Sequence, residues 1–265
     1  MADKYTKKFV FPKTINLLLP LLVLAVVGGA TYVPVVVGLG MSPENTDVGY
    51  QPEQPVPYSH ALHVGQLGLD CRYCHTTVDQ AAFAAVPPVQ TCMTCHTNVK
   101  KGSPQLANLQ TAWDSGKPLN WVTVHDLPDF SYFNHSSHVT KGVSCVECHG
   151  RIDHMGEEGV YQAKNLSMGW CIDCHRKTEN VLRPRDQVTN LGWKVADLAN
   201  AAPGTESHDV YQELMKIKSA EPRPDKGPKA GEMPAITQLD LGKYLQGKYK
   251  IRDHQYLTSC STCHR

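Results

Sequence analysis

Large apolar side chains are scarce in this 265-residue chain, which has five Phe and four Trp against 20 Gly and 18 Pro. A chain of this length with so little bulk is short of material for one compact side-chain core. An excess of either charge is also missing. The 26 basic and 25 acidic residues leave a net charge of +1, and no basic run is present to hold a nucleic acid. No cysteine stands alone, since all ten occur as Cys-x-x-Cys pairs. As disulfides, such small loops would staple almost nothing, because loop-closure stabilisation grows with loop length.

What the chain has instead is one pattern used five times. Every pair is followed by histidine, in Cys71–His75, Cys92–His96, Cys145–His149, Cys171–His175 and Cys260–His264. With 13 His in 265 residues, chance would give this with odds of roughly three in ten million. Cys-x-x-Cys-His is the attachment site of a c-type haem: two thiols bond to the porphyrin vinyl groups and the His ligates the iron. Zinc is the competing reading, but two four-cysteine sites would leave the fifth pair over and the uniform His without a role.

The expectation is therefore five covalently bound c-type haems. Their attachment residues are Cys71, Cys74, Cys92, Cys95, Cys145, Cys148, Cys171, Cys174, Cys260 and Cys263. His75, His96, His149, His175 and His264 are the expected proximal ligands. Five porphyrins would replace the missing apolar bulk. The predicted fold is mostly irregular with short α-helices and little or no sheet, packed around the haems, plus one N-terminal transmembrane helix.

That helix is predicted from Ile15–Leu39, an uncharged run rich in Leu and Val. As a helix it would be about 37 Å long, enough for a hydrocarbon core of roughly 30 Å with some tilt. Pro20 and Pro34 sit near its ends, where a kink is tolerated. Lys4, Lys7, Lys8 and Lys13 precede it, which keeps the short N-terminus cytoplasmic. A cleaved signal peptide is the alternative. The run is longer than a signal core and no Ala-x-Ala site follows, so a retained anchor is expected. Residues 1–41 are then a cytoplasmic stub and membrane anchor, and 42–265 a periplasmic haem domain.

The haem domain contains a duplication. Tyr58-Ser-His60-Ala-Leu-His63-Val64 parallels Phe133-Asn-His135-Ser-Ser-His138-Val139, and Gly68 and Gly142 each stand three residues before a motif. Each unit, 58–97 and 133–177, reads His-x-x-His, motif, motif; the fifth site, 260–264, stands alone. Each unit thus offers two extra His for two haems. This arrangement resembles the class III multihaem cytochromes, in which the two His serve as distal ligands to different haems. His60, His63, His135 and His138 are the distal candidates. For the fifth haem the leading candidates are His125 and Met155, with His254 behind them; a Met ligand would raise that haem's potential. With every iron holding two protein ligands, electron transfer rather than bond chemistry is expected.

Between the units, Ser103 and Pro104 can open a helix and Gly116 close it, with Leu106, Leu109 and Trp113 on its buried face. Ser207–Ser219 has Val210, Leu214 and Ile217 at helical spacing, and proline-rich Glu221–Pro234 reads as an extended linker. The stretch from 185 to 255 carries no further functional signal.

Four segments are more specific than the motifs alone: Leu69-Asp-Cys-Arg-Tyr-Cys-His-Thr-Thr-Val, Val124-His-Asp-Leu-Pro-Asp-Phe-Ser-Tyr-Phe-Asn-His-Ser-Ser-His-Val, Cys148-His-Gly-Arg-Ile and Leu166-Ser-Met-Gly-Trp-Cys-Ile-Asp-Cys-His-Arg. With the five motifs they resemble the pentahaem cytochrome c component of alternative complex III, over Tyr58 to Pro184 and the last motif. The resemblance implies a non-catalytic electron-transfer subunit of a quinol-oxidising inner-membrane complex. It also implies an iron–sulfur subunit, polytopic membrane subunits, and a monohaem cytochrome or copper protein as acceptor. The alternative is a membrane-anchored multihaem quinol dehydrogenase that feeds a periplasmic reductase.

Overall fold

The structure is a computed structural model that describes residues 11–220 and 235–264. Lys4, Lys7, Lys8 and the Glu221–Pro234 segment lie outside the described residues. The chain divides into two compact units, one ending at Thr46 and one beginning at Asp47. In the first, Ile15–Gly40 forms a 26-residue helix that carries Pro20 and Pro34 and buries none of its residues. It is the one helix among the described residues long and apolar enough to cross a membrane.

The second unit has no strand among its described residues, only an isolated bridge between Val143 and Leu182. Its attachment motifs lie on short helices: Cys71–Cys74, Val89–His96, Cys145–His149, Met168–Arg176 and Cys260–Cys263. The chain starts them locally. Asp70 accepts from the Arg72 amide at 2.8 Å, and Ser167 accepts from the Trp170 amide at 3.3 Å. One helical turn places the cysteines at i and i+3 on one face.

The expected helix after the second motif runs as a tight turn, Pro104–Leu106, continued by Ala107–Ser115 and closed by left-handed Gly116. Ser103 has the N-cap backbone conformation, but its hydroxyl makes no capping bond. Leu109 is buried and Leu106 partly so, whereas Trp113 is exposed. Ala112 takes the place expected for Trp113 and packs with Val56, Val89, Met93 and Leu109.

A second correction concerns residues 182–220 and 235–251, which build a conventional side-chain core. Leu182, Trp193, Leu198, Val210, Leu214, Leu241, Leu245 and Tyr249 pack together. Helix Glu206–Ala220 supplies Val210 and Leu214 as expected, but Ile217 faces outward and Lys218 reaches Asp240 at 2.6 Å. Its partner, Gln238–Lys248, opens with a reciprocal cap between Thr237 and Asp240. Gly242 lies so close to the Glu179 backbone that a Cβ there would overlap the Glu179 carbonyl.

Candidate haem sites

The free thiols here stand for the thioether sulfurs of the haem-loaded chain. They lie on the motif helices, and none is paired in a disulfide. Thiols of different motifs lie close together. The Cys145 thiol pushes the nearby Cys71 thiol up, and Cys71 in turn holds Cys145 down. Burial raises Cys148 to about 12 and Cys174 to about 11, with neighbouring cysteine and glutamate groups adding to the effect. Once thioether bonds form, these sulfurs no longer titrate; what persists is which motifs adjoin.

The duplicated His pairs recur as duplicated geometry. Tyr58 meets His60 edge-on at 4.7 Å and stacks on His63 at 4.5 Å. Phe133 meets His135 edge-on at 4.8 Å and stacks on His138 at 4.6 Å. His63 Nδ1 donates to Ser59 O and His138 Nδ1 to Asn134 O, both at 2.8 Å and both four residues back. The repeat differs at its first His. His135 Nδ1 donates to Ala82 O at 2.8 Å, while His60 Nδ1 is buried without a partner.

Three of these imidazoles face a motif His across a nearly constant gap. The ring centroids of His63 and His96 are 6.2 Å apart, those of His135 and His149 6.3 Å, and those of His138 and His175 6.1 Å. Two metal–nitrogen bonds of about 2 Å each, added to the half-widths of two rings, come to roughly this separation. Backbone carbonyls also hold the motif His: His75 Nδ1 donates to Ala85 O, His96 to Val99 O, His175 to Leu257 O and His264 to Phe130 O, at 2.8–3.0 Å. A proton fixed on Nδ1 leaves the Nε2 lone pair for a metal, and the carbonyl sets the ring's orientation. The residues present therefore fit haem iron between paired imidazoles. Among the described residues no three His, Cys, Asp or Glu side chains converge as a zinc centre requires.

Burial first, then the nearby His75 and His63, lowers His60 to about 4. Burial likewise takes His149 down to about 3, with His125, His135, His75 and His60 contributing. Burial lowers His138 as well. These rings are neutral, the form that ligates a metal.

The two candidates for the fifth distal ligand differ. His125 meets His149 edge-on at 4.4 Å, too close for an iron between them, and its buried Nε2 has no partner. Met155 is buried, and its carbonyl accepts from Ala61 at 2.8 Å, beside the first His pair. His254 is exposed. His264, at the fifth motif, faces Phe130 at 5.9 Å. The carbonyls that orient the imidazoles carry no sequence signal, because every residue has one. The aromatic at the head of each repeat is legible.

Comparison with known proteins follows the duplication. Residues 39–127 match the class III cytochrome c family, and residues 131–200 match cytochrome c7 and related cytochrome c. Each match contains one His-x-x-His and two motifs. Over 100 residues the chain is 34% identical to the "Menaquinone reductase, multiheme cytochrome c subunit" of Nitratidesulfovibrio vulgaris strain Hildenborough, covering 37% of this chain and 47% of that protein. Two successive segments of this chain are thus similar to multihaem c-type cytochromes, which supports haem binding and electron transfer as its chemistry.

Proposed function

We propose that this chain carries five haems and serves as the membrane-anchored electron-transfer component of a quinol-oxidising complex of the alternative complex III kind. The observation that carries the reading is the repeated 6.1–6.3 Å imidazole separation, with Nδ1 of each of His63, His135 and His138 tied to a carbonyl. His63 with His96, His135 with His149 and His138 with His175 are the proposed axial pairs. His60 is assigned to His75 because its equivalent in the second repeat, His135, pairs with the first motif of that repeat. For the fifth haem neither candidate is assigned: His125 has a buried, unpaired Nε2 but meets His149 of the third motif, and Met155 is a packed side chain beside the first His pair.

When bound, c-type haem supplies a one-electron couple. In each assigned pair the chain's residues would hold it through two cysteine sulfurs and two imidazoles, which suits electron transfer rather than substrate binding. Anchoring by Ile15–Gly40, with residues 42–265 on the periplasmic side, would bring the cytochrome to membrane partners. Polytopic membrane proteins and an iron–sulfur protein on the donor side, with a monohaem cytochrome or copper protein as acceptor, follow from the family resemblance. The menaquinone reductase relative lends support to a quinone-linked complex.

Intact mass of the matured protein should exceed the polypeptide by five haems. His138→Ala should convert one low-spin haem to high-spin while the haem count stays the same. A mass increment of four haems or fewer refutes the count, and an unchanged spin state refutes the His138 assignment. Direct quinol oxidation is the second reading. A cavity of about 330 Å³ beside the second motif helix, lined by Val86, Pro87, Val89, Trp113 and Trp121 among others, is where an apolar ring would fit. Purified chain that oxidises a quinol without partners would favour it.

A further inference from the structure

We propose that the five attachment motifs stand in single file in the order second, first, third, fourth, fifth, so that the second and fifth motifs are the ends at which electrons pass between this chain and other proteins. The inference rests on the five-haem reading above and gives it a path along the molecule. The sequence order would instead run first, second, third.

Side-chain contacts join each successive pair. Tyr73, inside the first motif, hydrogen-bonds Thr94, inside the second, at 3.2 Å. Asp70, which caps the first motif helix, accepts from Thr189 at 2.6 Å. The preceding carbonyl, Val188, accepts at 2.6 Å from Ser144, which stands at the N-cap of the third motif helix. His135 and His138 share the helix His135–Val139 and face His149 of the third motif and His175 of the fourth. His175 in turn donates to Leu257, three residues before the fifth motif, at 2.9 Å. Among the described residues, no hydrogen bond joins the second motif to the third, fourth or fifth.

Exposure gives an independent check. Of the ten cysteines, only Cys95 and Cys260 are exposed, one in each end motif. The third motif, in the middle of the file, has no exposed residue. A one-electron donor oxidised at one end and a one-electron acceptor reduced at the other need no bond to the chain.

Redox coupling between haems is electrostatic and falls with distance, so the order can be read from single-haem midpoints. NMR or EPR would follow the redox titration of the matured full-length protein, of His138→Met and of His63→Met. A thioether ligand raises the midpoint of its own haem. His138→Met should also shift two other midpoints, those of the third and fifth motifs. His63→Met should shift one, that of the first. The order is overturned if His63→Met moves two or more other midpoints, or if His138→Met moves that of the second motif. Should either variant fail to mature, electron-exchange cross-peaks in partly reduced wild type provide the same reading. Contact between the second and first haems supports the file, and contact between the second and third breaks it. Haem count by mass is measured separately, so a protein with fewer than five haems fails the earlier reading, and five haems in another order fail only this one.

Discussion

Residues 47–177 and residues 182–251 bury themselves by different means. Among the described residues, the later stretch supplies every apolar side chain that is fully buried: Leu182, Pro184, Val188, Leu198, Val210, Leu241 and Leu245. The earlier stretch holds four of the five attachment motifs and has only a small cluster around Leu109, which is 3% exposed. Its imidazoles, stacked on Tyr58 and Phe133, are spaced to receive iron rather than to touch one another. On the five-haem reading the cofactor would therefore be structural as well as electronic in the earlier stretch. Apolar area withdrawn from water is worth roughly 25 cal/mol per Å², and on the five-haem reading the porphyrins would supply much of that area in the motif stretch.

Withholding the cofactor should have the greatest consequence. Chain produced without haem attachment should lose protease resistance across 47–177, while helices Glu206–Ala220 and Gln238–Lys248 remain protected. Limited proteolysis with mass mapping gives the measurement. Equal cleavage of both stretches would remove the contrast, because it would mean that the 182–251 core also depends on haem.

Legibility in the sequence divides along the same line. The motif stretch announced its chemistry, since Cys-x-x-Cys-His and the doubled His-x-x-His fix residue types by what a haem requires. The repeated aromatic–His packing and the two matched family segments follow that doubling. Of the 182–251 core only Val210 and Leu214 were legible. Its apolar residues are spread over short turns and two helices, and the partner helix Gln238–Lys248 has a weak pattern interrupted by Gly242 and Gly247. Trp113 and Ile217 fit a helical period yet face outward, because Ala112 and Lys218 meet the neighbouring elements instead. Periodicity specifies a stripe on a helix, and tertiary packing decides how far round that stripe extends.

A more modest change is expected at the seam between the two stretches. Gly68 and Gly142 are equivalent positions of the repeat, with φ of +70° and +81°. A Cβ at Gly68 would meet open space, whereas one at Gly142 would overlap the Arg183 carbonyl and touch the Tyr249 ring. Gly68→Ala should therefore cost only the left-handed backbone strain, about 1–2 kcal/mol. Gly142→Ala should cost more, about 3 kcal/mol, because the Arg183 backbone has to move as well. Thermal unfolding of the two matured variants checks this. Similar losses would mean that the 182–251 core yields at this seam.

The slightest change should come from a network centred in the side-chain core. Glu206 accepts from Arg185 at 2.9 Å and from Tyr249 at 3.1 Å, and the Arg185 guanidinium lies over the Tyr249 ring at 4.9 Å. Burial alone would raise the Glu206 carboxyl, but its bonds to Arg185 and Tyr249 hold it below the usual carboxylate range. The carboxylate is then favoured more in the folded chain than in the unfolded one. Its stabilisation is fully present above the unfolded pKa and is lost as pH falls through the lowered folded value. Arg185 is half exposed, at 53% of its side-chain surface, so solvent screening keeps the contribution below about 1 kcal/mol. Glu206→Gln should remove that part of the acid dependence and lower the unfolding temperature slightly near neutral pH. The haem spectra should not change, because no motif residue touches this network. A spectral change in Glu206→Gln would show that the 182–251 core is coupled to the haem sites, and the separation between the two stretches would have to be given up.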